Sequence, residues 1–292
     1  MYTPDQYEIV SEINSVACVT AVSLIFGRKI AAVDGPIYYV RGLILTLYGL
    51  TWAFDLIACM IVSTNNGNYI SCTLGFYNCV LFYTFAKITL YLYFTEKIYV
   101  MSMPKVSRMR SIYYHAALAM LALYLGCIVF LIISRIIEVD STSPYHCTIG
   151  YSLPSTVTIL CCDFLIAALC TGMFIKLYAF PNMAQQTSQQ SSSLKLMARR
   201  HIIAAMVPCI TSTINYVIMV VLQGRERGLV ALAVCTVDIT IVSCVVHWVT
   251  SHPAESHLVE KGLHAAGSER PVKLEIKQHQ EVVVLTELNS RM

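Results

Sequence analysis

The sequence predicts an all-α membrane protein, a bundle of seven transmembrane helices with the N-terminus outside and the C-terminus cytoplasmic. Three observations carry that expectation. The 292 residues are 57% hydrophobic and only 13% charged, too apolar for one water-soluble core to hide. Seven long apolar stretches approach the roughly 20 residues that cross about 30 Å of hydrocarbon. The basic residues between them fall almost wholly on alternate loops.

The spans read as 9–27, 37–62, 72–95, 113–135, 153–179, 201–223 and 228–250. The first contains Glu12 and a clean apolar run only from Ile13 to Gly27. A signal peptide would need a basic n-region, but Met1–Glu8 carries Asp5 and Glu8 and no Lys or Arg, so this segment is expected to remain as a helix. Orientation follows from the excess of Lys and Arg on the cytoplasmic side. One set of loops holds Arg28, Lys29, Arg41, Lys97, Lys105, Arg108, Arg110, Lys176, Lys195, Arg199 and Arg200, eleven in all, against three on the other, Arg135, Arg225 and Arg227. The net charge of +3 is thus spent on topology and gives no reason to expect a nucleic-acid partner.

Residues 1–250 form the expected bundle, and 251–292 read as a charged, mostly disordered cytoplasmic tail with Ser268, Thr286 and Ser290 open to phosphorylation. Between the fifth and sixth spans, Asn182 to Ser193 is a Gln/Ser-rich run followed by the basic stretch Lys195 to His201. That connection is either a dock for a soluble partner or a linker whose basic end anchors the sixth helix at the headgroups.

Ten of the twelve cysteines lie inside spans, where Cys packs as a small apolar residue. Cys72, at the outer start of the third span, and Cys147, in the outer loop between the fourth and fifth, both face an oxidising compartment. They are expected to form a disulfide.

Seven spans, an outer Cys on the third and a second in the following outer loop resemble the rhodopsin-like G-protein-coupled receptors. The register agrees: that family closes its third helix with an acidic-Arg-aromatic motif 24 residues after the Cys, often with a Pro eight residues later. Here those positions hold Glu96 and Pro104. The likeness is to a divergent member. Lys97 replaces the Arg, whose planar fork a Lys cannot reproduce. Asp55 stands in a phrase similar to the family's second helix but only 17 residues before Cys72, which places it nearer the outside. Met206 stands two residues before Pro208 where the family has Trp, and Asp238 alone survives of the family's seventh-helix motif. The closing His247-Trp248-Val249-Thr250-Ser251 is similar to a group of uncharacterised fungal seven-helix proteins.

The resemblance implies a plasma-membrane receptor for an extracellular ligand. It would couple to a heterotrimeric G protein through Glu96, Lys97, Pro104, Arg199 and Arg200. A binding cavity is expected beneath the Cys147 loop, with Phe76, Cys79, Val80 and Tyr83 from the third helix and Thr211, Asn215 and Tyr216 from the sixth. Amine receptors of the family carry an Asp seven residues after the third-helix Cys. Cys79 stands there instead, so a biogenic amine is not the expected ligand. A retinal pigment would need a Lys in the seventh span, and Gly228–Thr250 has none.

Four ionisable residues lie deep in the spans: Asp55, Lys87, Asp163 and Asp238. Each is costly in hydrocarbon unless paired or hydrated, so each marks a functional hypothesis. Lys87 lies about 22 Å in from Cys72, and Asp163 and Asp238 about 15 Å in from their outer ends, so Lys87 can reach either acid. Such a pair would latch helices together, or the three groups would serve a proton-coupled transporter or ion carrier. No internal repeat supports the carrier. No cofactor, metal site or catalytic set is expected: P-loop, zinc-spaced and HExxH patterns are all missing, and His115, His201 and His247 stand apart as interface residues.

Overall fold

The computed structural model describes residues 6–31, 39–64, 69–102, 112–139, 147–179, 188–222 and 226–252. Pro104, Lys105, Arg108, Arg110, Arg225 and the tail beyond His252 lie outside them.

The elements are α1 (Gln6–Ala31), α2 (Tyr39–Thr64), α3 (Tyr69–Asn78), a π-helical segment (Cys79–Tyr83), α4 (Thr84–Ser102), α5 (Ile112–Ile133), β1 (Arg135–Val139), β2 (Cys147–Tyr151), α6 (Leu153–Ala179), α7 (Ser188–Val221), β3 (Glu226–Arg227) and α8 (Gly228–Thr250). Six helices have the length and composition to cross a bilayer: α1, α2, α6, α8, and the Tyr114–Ile133 and Lys195–Val221 parts of α5 and α7. The chain is a helical, multi-pass membrane protein.

The third expected span differs from these six. Backbone from Tyr69 to Ser102 is helical throughout, with the residues flanking the π segment, Asn78 and Thr84, both in the right-handed helical region. This span is rich in buried polar side chains: Asn78, Thr84, Lys87, Thr89, Thr95, Glu96 and Lys97. Position explains this. Each helix packs on its chain neighbours, α8 returns to pack on α1, and the α3–α4 rod also touches α2, α6 and α8. A rod packed on four helices needs less lipid-soluble surface, and it keeps some at Leu74, Leu81 and Phe85, which are exposed. The outer helices are the reverse, with Leu123, Val129, Phe164, Leu165, Ile210 and Ile214 exposed where lipid would meet them.

One end of the bundle carries a small three-stranded sheet of order β1-β2-β3, where an irregular loop was expected. β1 and β2 pair antiparallel from Arg135↔Tyr151 to Val139↔Cys147, and β2 pairs β3 through Thr148↔Arg227 and Ile149↔Glu226. Alternate residues of β2 seal the bundle: Cys147, Ile149 and Tyr151 are buried. A Cys72–Cys147 disulfide joins the top of α3 to the first residue of β2, with Cα atoms 5.8 Å apart. Gly228 lies under this bridge, and a Cβ there would stand 3.0 Å from Cys147 Sγ. The opposite end bears Arg28, Lys29, Lys176 and Arg199, and we call the two the hairpin end and the basic end.

α7 starts at Ser188, well before the expected boundary at residue 201 and inside the Gln/Ser-rich run. A polar sequence without an apolar face forms a helix readily when it extends one already nucleated, because propagation is far easier than nucleation.

Candidate functional site

Midway through the bundle α4 presents Lys87 to α7 and α8. Its Nζ stands 3.0 Å from Asp238 Oδ2, with the two side chains 1% and 2% exposed. Hydrogen bonds support both partners. Lys87 donates to Ser212 Oγ, Tyr83 O–H donates to Asp238 Oδ2, and Thr211 O–H donates to Asp238 Oδ1. Asn215 Nδ2 reaches Tyr83 Oη and Cys235 Sγ at 3.5 Å each, and the Lys87 ammonium lies 5.3 Å from the Tyr83 ring centre. A buried ion pair holds only when further hydrogen bonds occupy its remaining lone pairs and protons, and this one has them. Of the two acids within reach by depth, Asp238 takes the lysine. Asp163 accepts instead from Tyr91 O–H, whose ring meets Tyr124 edge-on at 6.0 Å.

Asp55 lies nearer the Thr64 end of α2 than the Tyr39 end. Thr240 O–H donates to its Oδ2 at 3.1 Å, and Thr240 is two residues past Asp238 toward the basic end. α2 runs on to Thr64, which sets Asp55 about 14 Å below the helix end. Ser243 and Thr51 bond one another at 3.1 Å on the same α2–α8 seam.

Above the Lys87–Asp238 pair is a narrow cavity of about 30 Å³, roofed by Ile149, Gly150 and Tyr151 of β2. Five of the seven residues expected around a ligand line it, Phe76, Cys79, Tyr83, Asn215 and Tyr216, whereas Thr211 turns to Asp238. Val80 does not line it, and packs in the core at 1% exposure. The π segment is responsible, since its wider turn breaks the regular register on which the four-residue stripe was read. Phe76 meets Tyr151 at 5.4 Å, so the roof and the third helix share an aromatic contact.

At the basic end Glu96 and Lys97 are 1% and 2% exposed, and Lys97 Nζ lies 5.8 Å from the Tyr93 ring centre. Tyr93 also meets His201, with Oη 3.3 Å from Nε2, while His201 Nδ1 stands 3.0 Å from Met197 O. A carbonyl only accepts, so Nδ1 carries the proton and Nε2 accepts from tyrosine. Phe174 packs on His201 at 5.3 Å, which joins α4, α6 and α7 in one stack. Arg200 lies over the Trp248 ring at 4.7 Å and links α7 to α8, whereas Arg199 is exposed. The proposed coupling residues therefore divide into an inward-facing pair, Glu96 and Lys97, and outward Arg199.

Sequence reasoning missed Tyr83, Tyr91, Thr211 and Ser212 as partners of the intramembrane charges. Hydroxyl residues one turn either side of a charge are the signal that was present: Tyr83 and Tyr91 flank Lys87 at minus and plus four. The Tyr93–His201–Phe174 stack carried no such sign, since its members come from three helices.

No protein-family model matches the chain, and no curated protein matches it.

Proposed function

We propose that the chain is a seven-helix plasma-membrane receptor of the G-protein-coupled kind. In this reading α3–α4 is the central third span, the hairpin end and N-terminus face outside, and the basic end faces the cytoplasm. The observation that carries it is vertical continuity along one rod. A disulfide-tied hairpin roofs a cavity lined by Phe76, Tyr83 and Tyr216. Tyr83 is at once a wall of that cavity and a hydrogen-bond donor to the Lys87–Asp238 pair. Two and a half turns below Lys87, Glu96 and Lys97 sit closed inside the basic end.

A ligand entering under the hairpin would displace Tyr83 and loosen the pair that ties α4 to α8. The cavity is far below the roughly 300 Å³ at which small-molecule sites begin, so it is closed at rest and ligand must open it. The released helices would then part at the basic end, unstacking Tyr93 from His201 and uncovering Lys97 for a heterotrimeric G protein. An unknown extracellular ligand other than a biogenic amine fits a cavity in which Cys79 occupies the counter-ion position.

A proton-coupled carrier using Lys87, Asp163 and Asp238 is the competing function. It is less well supported, because Asp238 holds the lysine while Asp163 is bonded to Tyr91. The test is complex formation by the full chain in lipid nanodiscs with a panel of nucleotide-free heterotrimeric G proteins. Co-elution that GTP dissolves supports the receptor. No complex with any G protein, together with pH-driven flux in proteoliposomes that Lys87→Ala abolishes, replaces it with the carrier.

A further inference from the structure

A second cavity lies on the flank of the bundle, between α1, α7 and α8. It is larger, about 440 Å³, within the roughly 300–1,000 Å³ of small-molecule sites, and its wall is almost wholly apolar. Val10, Ile214, Val230 and Val234 line it, and Thr211 and Asp238 stand at its floor. The rim opens sideways: Tyr7, Val10 and Ile214 are 60%, 66% and 55% exposed on surfaces that hydrocarbon covers in a membrane. The Arg227 guanidinium lies 5.5 Å from the Tyr7 ring, which marks the upper rim as the headgroup level. Asp238 is about 15 Å lower, from its position along α8.

We propose that this crevice binds a neutral amphiphile from the surrounding leaflet, its apolar body filling the flank and a hydroxyl donating to Asp238. Access from lipid and an apolar wall select a membrane-borne molecule. The floor selects its head. Asp238 is already neutralised by Lys87, so an ammonium gains little there, and a carboxylate meets another carboxylate. On the side of the crevice, Oδ1 accepts from Thr211 and retains a second lone pair for one more donor. This site is separate from the cavity under the hairpin: the two share no lining residue, and Asp238 of one accepts a hydrogen bond from Tyr83 of the other. It stands whether the protein is a receptor or a carrier.

The experiment photolabels the full chain in nanodiscs with a diazirine-bearing long-chain alcohol and maps the adducts by mass spectrometry. Adducts are expected on the stretches around Ser11 and Ala233, competed by unlabelled alcohol but not by the fatty acid of equal length. Ala233→Phe fills the crevice without touching Asp238 and should cut those adducts by roughly tenfold or more at fixed probe. Val230→Trp, at the rim, does the same and decides the matter where Ala233→Phe fails to fold. Unchanged labelling in a variant that keeps the disulfide and melts like wild type overturns the proposal. Equal competition by alcohol and fatty acid also overturns it, since that marks ordinary boundary lipid.

Discussion

Lys87 is held by three contacts, to Ser212 of α7, Asp238 of α8 and the Tyr83 ring of its own rod, so its removal has a definite signature. Lys87→Ala leaves Asp238 buried among hydroxyl donors without its cation, a change that costs about 3–5 kcal/mol when a buried pair is broken in a soluble protein. Interhelical polar contacts in bilayers are weaker, and we expect a coupling between Lys87→Ala and Asp238→Asn on the order of 1–2 kcal/mol. Thermal unfolding of the four proteins in one nanodisc preparation measures it. The same cycle with Asp163→Asn should show a smaller coupling, because Asp163 feels the Lys87 charge but is bonded to Tyr91 and not paired with the lysine. Non-additivity with Asp163 and none with Asp238 would reverse the assignment. The charges themselves were legible in the sequence because an ion in a span is conspicuous. Which acid takes the lysine was not, because Asp163 and Asp238 lie at equal depth and only the rotation of α6 and α8 about their axes separates them.

Among the elements, β2 joins most of the hairpin end together. It pairs with β1 and β3, carries Cys147, and roofs the cavity with Tyr151. The Cys72–Cys147 bridge spans 75 residues of chain, for which about 2–5 kcal/mol of stabilisation is typical. Cys72→Ser and Cys147→Ser should each lower surface expression, and the double variant should match the singles. Both thiols free by mass spectrometry in mature protein would refute the bridge. Gly228→Val should act in the same direction, since its side chain would displace Cys147 from α8. Gly126→Ala is the control, with open space around its Cβ position, and should leave expression unchanged. The pair of cysteines was readable from compartment and position. The sheet was not: β3 is two residues long and exists only through its bonds to β2, and nothing in so short a stretch has a period to detect. The π segment was hidden for a related reason, as it alters winding within an unbroken helical pattern.

For the whole molecule, Asp55, Asn78, Lys87, Glu96 and Lys97 are buried within a largely apolar core, and Leu, Val, Ile and Phe cover much of the outside as well. The sequence reads as seven spans, and six helices of the described residues have the length and apolarity to cross a bilayer; the central rod, with Lys87, Glu96 and Lys97 in one helix, is not among them. Orientation rests on the bias of eleven basic residues against three. An N-terminal tag should be accessible on intact cells and a C-terminal tag only after permeabilisation; the reverse pattern would contradict both the topology and the receptor reading. In the proposed receptor, signalling depends on whether the mid-membrane pair restrains the basic end. The most direct measurement is basal nucleotide exchange on a G protein that the wild-type chain binds. Lys87→Ala and Asp238→Asn should each raise the basal rate above wild type, with the double variant no higher than the singles. Exchange unchanged or lower in all three, from proteins that fold and reach the membrane, would contradict the latch.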